Sequence, residues 1–233
     1  TKRDAAGIRS SWPVQLWPYI EQAPLAAKYD PTKSFFQAPN CDSTPSTNSP
    51  IATQVKLYNC PSDRGNAYTK GDNYWRVRGN YALCWGQRAW QNVMDYPGDE
   101  AMFGFTDWRS RDKARQVRIT DIKDGSSNTL MVSEVVVLPI DNSGDTRGDF
   151  MSDDAACSVF MTEQTPNVGI DRIKNCNNDY PQTPCEAATT FTHAGTAFRA
   201  QQFARSKHTG GVNAAMGDGS VRFVSNGVTV NTW

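Results

Sequence analysis

The sequence predicts an α+β domain in which short N-terminal helices pack on an antiparallel β-sheet and long, disulfide-stapled loops join the strands. Three observations predict it. Short helical segments are read between Trp12 and Tyr29, with one further turn over Ile51 to Gln54. Period-two alternation governs Tyr74 to Trp85 and Val212 to Val224, and an almost unbroken apolar run fills Thr129 to Leu138. The intervening segments are rich in Pro, Ser, Thr, Asn and Gly and hold most of the six cysteines. A chain of 233 residues can bury one sizeable core. We therefore read residues 1–233 as a single domain with loop-rich insertions at 86–116 and 139–205.

In chain order, Ser10-Ser11 can cap a helix that begins near Trp12-Pro13, where proline is tolerated in the first turn. Pro18 kinks or restarts that helix, and Leu25 to Tyr29 supplies a further turn. Such short helices are stable only when packed. Ser49-Pro50 opens another short helix over Ile51 to Gln54, and Val55 to Tyr58 reads as a strand ended by Cys60-Pro61.

From Tyr74 to Trp85 the alternation places Trp75, Val77, Tyr81, Leu83 and Trp85 on one face and Arg76, Arg78, Asn80 and Cys84 on the other. This is a half-buried strand facing a core or, on the sharper reading, an aromatic platform for sugar rings. Thr129 to Leu138 reads as a central strand. Glu134 inside it is costly if buried alone, so an arginine or backbone partner is expected.

Asp218-Gly219 has the residue types of a two-residue hairpin turn. That turn pairs Met216 with Val221 and Ala214 with Phe223, and sends Val212, Ala214, Met216, Val221 and Phe223 into the core. Asn213, Ala215, Arg222 and Val224 then line the opposite face. Gly210-Gly211 lets the chain bend tightly into the hairpin.

Composition narrows the function. Twenty-four basic and 24 acidic residues cancel, which gives no support for nucleic-acid binding. No signal peptide and no membrane-length apolar run is present. Six cysteines without a Cys-x-x-Cys pair suit disulfides better than zinc ribbons or redox motifs. Of the fifteen pairings that six cysteines allow, proximity in the chain favours Cys41–Cys60 and Cys176–Cys185, and leaves Cys84–Cys157. Such bonds imply an oxidising compartment, hence an exported protein.

The Asp141–Asp149 loop is rich in oxygen ligands of the kind calcium prefers, but its spacing fails the EF-hand pattern and it reads as solvated. His193 and His208 are the only imidazoles. A metal site needs three or four ligands and none stands at ligand spacing from His208, so the expectation is an imidazole bonded to backbone at the hairpin mouth. There is no Gly-x-Ser-x-Gly elbow, His-Glu-x-x-His, P-loop or dinucleotide fingerprint. No catalytic, cofactor-binding or metal residue is assigned, and the chain is read as not an enzyme. His208, Gly210, Gly211, Asn213, Asp218 and Gly219 are assigned to a structural motif.

That motif carries a resemblance. His208 followed after nine residues by Asp218-Gly219 is similar to the C-terminal signature of a large bacterial prepilin-like family of unknown function. Ser11-Trp12, Leu16-Trp17-Pro18-Tyr19-Ile20-Glu21-Gln22, Leu57 to Asp63 with its Cys-Pro-Ser-Asp, and Ile119 to Leu130 resemble further blocks of the family in the same order. The resemblance implies a pilin-like architecture, with a helix against a sheet and an apolar anchoring segment upstream of Thr1, and it suggests processing at one or both ends. We expect a non-enzymatic, extracellular structural subunit that assembles with copies of itself into a filament, tube or surface layer. The alternative is an extracellular glycan-binding module, with calcium as its one candidate cofactor.

Overall fold

The computed structural model describes residues 2–3, 7–89, 101–104, 115–154, 156–177, 180–188 and 200–233. Among them the chain forms strands β1 (Lys2–Arg3), β2 (Arg9–Ser10), β3 (Tyr68–Thr69), β4 (Arg76–Val77), β5 (Tyr81–Gly86), β6 (Leu130–Glu134), β7 (Val159–Met161), β8 (Asp171–Ile173), β9 (Cys185–Ala187), β10 (Gly211–Met216) and β11 (Val221–Ser225). The two α-helices are α1 (Pro13–Leu16) and α2 (Ala23–Ala26). Five strands make the main sheet in the order β11-β10-β6-β5-β7. All neighbours are antiparallel except β5 and β7, which run parallel. The apolar run expected to be central does supply the middle strand, β6.

The mixed α and β class agrees with the sequence, and several elements differ in detail. Proline opens α1 as anticipated, but its cap is Trp12 without a side-chain bond. Ser11 Oγ instead donates to the Phe150 carbonyl, a buried long-range tie. Pro18 restarts the chain as a 3-10 turn over Trp17–Tyr19, and Trp17 is fully buried beneath it. The expected strand from Val55 to Tyr58 is a 3-10 turn, Lys56–Tyr58, because Tyr58 is drawn into an aromatic cluster with Trp12 and Phe150. The stretch from Tyr74 to Trp85 divides into β4 and β5. Both of its faces are buried, so its alternation separates two interiors rather than core from water. The stretch 139–205 does more than decorate the sheet: it contributes β7 to one end of it and places Phe150, Met151 and Phe160 in the core. Much of 86–116 lies outside the described residues.

The terminal hairpin corrects the expected register. Asn213 pairs with Phe223 and Ala214 with Arg222. The loop has three residues, Gly217 to Gly219. Gly219 N–H donates to the Met216 carbonyl (2.9 Å), and Met216 N–H donates to the Ser220 carbonyl (2.8 Å). Gly219 has φ +83°, the left-handed residue of a glycine bulge. The additional loop residue slips β11 by one position and reverses its faces. Val212, Ala214 and Met216 are buried as expected, but Val221 (68% exposed) and Phe223 (54%) face outward. Half-buried Val224 takes the inward place, against the cluster of Ala82, Cys84, Val135, Phe160 and Val212. Gly211 is fixed by this arrangement, since a Cβ there would meet the Val224 carbonyl at 2.1 Å and the Phe223 ring at 2.8 Å.

The acidic loop is not solvated. Asp145, Thr146, Arg147 and Asp149 are all buried. Both Asp145 oxygens accept from Arg147, and Oδ2 also accepts the Asn177 N–H at 2.6 Å. Both Asp149 oxygens accept from Arg76 at 2.7 and 2.6 Å. These carboxylates are satisfied by guanidinium and amide groups, which removes the grounds for calcium there. Removing one partner leaves a buried uncompensated charge. Asp149→Ala is therefore expected to lower stability by about 3–5 kcal/mol, whereas Asp72→Ala, at the half-exposed end of the Arg76 cluster, is expected to cost about 1 kcal/mol or less. Urea denaturation of the two variants checks the difference.

Of the expected disulfides, Cys176–Cys185 is present. Cys41, Cys60, Cys84 and Cys157 are buried free thiols, so the pairings Cys41–Cys60 and Cys84–Cys157 are not made. Cys60 is directed toward His208 instead, and Cys84 lies in the interior against Ala82 and Phe160. Thiol titration of the unfolded, unreduced chain is expected to find four reactive groups; two or none would contradict this bonding pattern.

Candidate functional site

The described residues bring together three chemically distinct side chains from distant parts of the chain: Cys60, Glu134 and His208. Glu134 ends β6 with its side chain 3% exposed. It stands opposite Tyr81 on β5, and the β10 register continues to place Asn213 opposite it on the other side. Asn213 N–H donates to Glu134 Oε2 at 2.7 Å. The backbone partner expected for this carboxylate is thus present, and the second partner is an imidazole rather than an arginine: His208 Nε2 lies 3.0 Å from Oε1.

Cys60 is placed by a network that accounts for each polar member of Cys-Pro-Ser-Asp. Cys60 N–H donates to Asn80 Oδ1 (3.0 Å), and Asn80 Nδ2 donates to Asp63 Oδ2 (2.7 Å) and the Val135 carbonyl (3.0 Å). Asp63 Oδ2 also accepts the Val137 N–H (3.0 Å). The motif is therefore clamped to the end of β6. Cys60 Sγ lies 3.4 Å from His208 Nε2, and Ser62 Oγ lies 3.5 Å from Nδ1.

His208 is held from below. Its N–H donates to Ser206 Oγ (3.0 Å), which itself donates to the Gly211 carbonyl (2.7 Å), and Ser206 N–H donates to Asn167 Oδ1 (2.9 Å). Gly210, at φ +85°, turns the chain into β10. Ser206, His208, Gly210, Gly211 and Asn213 thus serve one local structure. Asp218 does not join it: its Oδ1 accepts from Ser220 N–H and Oγ within the exposed turn. The imidazole and the Asp-Gly of the sequence motif have separate tasks. His193 lies outside the described residues.

Burial pushes the Cys60 thiol up, and the neighbouring Glu134 carboxylate adds to this while the Ser62 N–H opposes it. Tyr81 is raised for similar reasons, burial first and then the charges of Cys60 and Glu134. An uncompensated thiolate is disfavoured here, unlike the low-pKa environment of a reactive cysteine. The geometry also departs from a nucleophile–base–carboxylate relay. Such a relay uses both imidazole nitrogens, whereas here one nitrogen faces both Sγ and Oε1.

Sequence reasoning singled out His208 and flagged Glu134, but missed their convergence with Cys60, which lies 148 positions before His208. The unexplained glutamate in an apolar run was the usable signal. Of the two readings of Tyr74 to Trp85, the core-facing strand fits and the alternative aromatic platform is not assembled: Trp85 is 1% exposed in the core with Leu83 and Phe203, and half-buried Trp75 is taken by the Lys70 ammonium.

The family model described as "Protein of unknown function (DUF1559)" matches residues 1–230, and the chain belongs to that family. No curated protein and no solved structure matches the chain.

Glu134→Ala strips the part-buried Asn213 N–H of its acceptor. In metal-free buffer it is expected to cost about 1–3 kcal/mol in chemical denaturation. Asn213→Ala, which keeps that N–H and loses only a 3.4 Å side-chain contact, is expected to cost less.

Proposed function

We propose that the protein is a non-enzymatic structural subunit, pilin-like in kind, that assembles with copies of itself into a filament, tube or layer outside a bacterial cell. The observation that carries this reading is the outer surface of β11. This strand ends the main sheet, and no strand pairs with its outer side among the described residues. It presents Val221 and Phe223 to solvent side by side on one face. An unpaired strand edge beside exposed apolar side chains is a template for strand addition, which natural proteins often blunt with proline or charge. β11 has one charge, Arg222, and no proline.

The resemblance of this chain's sequence blocks to a prepilin-like family supports the reading, as does the disulfide at Cys176–Cys185. Net charge of zero leaves little long-range repulsion between copies. No described helix is long and apolar enough to cross a membrane; the contact proposed here is one between globular faces. A second copy adding to β11 would continue the sheet from one subunit to the next. A heterologous contact of this type propagates, whereas a two-fold one closes.

Phe223→Asp places a charge on that face without touching the core. It is expected to shift concentrated protein from assemblies to monomers in analytical ultracentrifugation, with an unchanged melting temperature. Wild-type protein that stays monomeric at high concentration and shows no ordered assemblies by electron microscopy would refute the proposal.

A further inference from the structure

We propose that Cys60, Glu134 and His208 form a binding site for one divalent first-row transition-metal ion of the zinc class. This goes beyond the structural role argued above and does not rest on it. The three side chains converge on one point. Nε2 of His208 lies 3.4 Å from Cys60 Sγ and 3.0 Å from Glu134 Oε1, and one ligand atom from each residue lies within 4.8 Å of the others. In a tetrahedral zinc site with bonds of about 2.3 Å to sulfur and about 2.0–2.2 Å to nitrogen and oxygen, neighbouring donor atoms stand roughly 3.3–3.6 Å apart. The two distances from Nε2 are close to that spacing, and the third pair lies within 4.8 Å.

The imidazole itself points the same way. A ring nitrogen has one in-plane position, either a proton or a lone pair. Two electron-rich partners, a sulfur and a carboxylate oxygen, both face Nε2. They cannot both receive a well-directed hydrogen bond from it, but all three can share a cation lying between them. Glu134 and Cys60 are buried, and a buried carboxylate beside a thiol calls for positive charge.

The surroundings fit a metal site. Asn213 N–H occupies Glu134 Oε2 at 2.7 Å, while Oε1 takes a longer 3.4 Å contact from Asn213 Nδ2 and faces the cluster. Ser62 Oγ lies beside the far nitrogen of His208, and Asn80 holds the Cys60 backbone. Such outer contacts orient ligands and fix the imidazole tautomer. The His208 side chain is 27% exposed, which gives an ion a route in from solvent. No fourth His, Cys, Asp or Glu joins the three among the described residues, so water completes the coordination. A donor set of sulfur, nitrogen and one carboxylate excludes calcium and magnesium, which take oxygen ligands, and favours zinc, cobalt or copper. The ion would join the Cys60 turn, the end of β6 and the loop before β10, adding to the hydrogen bonds that tie them. Binding the folded state alone would stabilise it by mass action.

The test uses the full chain with its disulfide intact, stripped by chelator and titrated with Co2+. One equivalent is expected to bind, with a thiolate-to-cobalt charge-transfer band and the intense visible bands of tetrahedral cobalt; Zn2+ is expected to bleach both. Cys60→Ser is expected to abolish the charge-transfer band, and His208→Ala to weaken binding at least tenfold. Because a variant can fail to fold, alkylation of wild-type protein is measured as well: Zn2+ is expected to protect Cys60 selectively, as mapped by mass spectrometry. Absence of the charge-transfer band, its persistence in Cys60→Ser, or Zn2+ without effect on Cys60 alkylation would each overturn the proposal.

Discussion

A carboxylate buried at the end of the central strand sets the terms for much of this molecule. Glu134 accepts from Asn213 on β10 and meets His208, while its own carbonyl accepts the Arg205 N–H at 2.8 Å. Cys60 and its clamp through Asn80 and Asp63 close over the same strand end. Segments around Cys60, Asn80, Glu134 and His208, distant in the chain, are thereby held around one side chain. An isolated carboxylate in this position would be strongly destabilising; surrounded by donors it selects one arrangement of those segments over its competitors.

The same principle recurs in the stretch 139–205, which is organised by buried charges more than by a large apolar core. Arg147 is satisfied by Asp145 and by the carbonyls of Asn177 and Thr183. Arg76 is held between Asp149 and Asp72. Asp171 accepts from the Phe203 N–H at 2.9 Å and lies beside Arg205, although burial still raises its pKa. Buried ion pairs of this kind contribute modest net stability because desolvation offsets their attraction, but a mispaired alternative is severely penalised. We read them as the means by which a loop-rich segment reaches a single structure.

The parts of the fold that follow from local chemistry could be read in the sequence. Pro13 in a first turn, the apolar run around β6 and the short loop closed by Cys176–Cys185 all depend on neighbours in the chain. The hairpin shows where local reading stops. Asp218-Gly219 suits a two-residue turn, but the same pair also serves a three-residue turn with a glycine bulge, and the difference of one residue reverses Val221, Phe223 and Val224. Cysteine pairing by proximity succeeded across nine residues and failed for Cys60, whose neighbour is chosen by tertiary packing. The candidate site was half legible. Glu134 stood out as an anomaly in an apolar strand and His208 as a rare imidazole, but nothing in their spacing shows that they meet. The acidic loop misled for a related reason: its carboxylates look solvated until the arginines that neutralise them are placed.

The central claim is that Cys60, Glu134 and His208 converge on one point that binds a cation. Crystals grown with zinc, measured on both sides of the zinc absorption edge, test it most directly. The account predicts that the strongest anomalous peak lies between Cys60 Sγ, Glu134 Oε1 and His208 Nε2, with Asn213 N–H still on Oε2. A Cys60 Sγ bonded to Cys41, with the His208 imidazole turned away from Glu134, would contradict it.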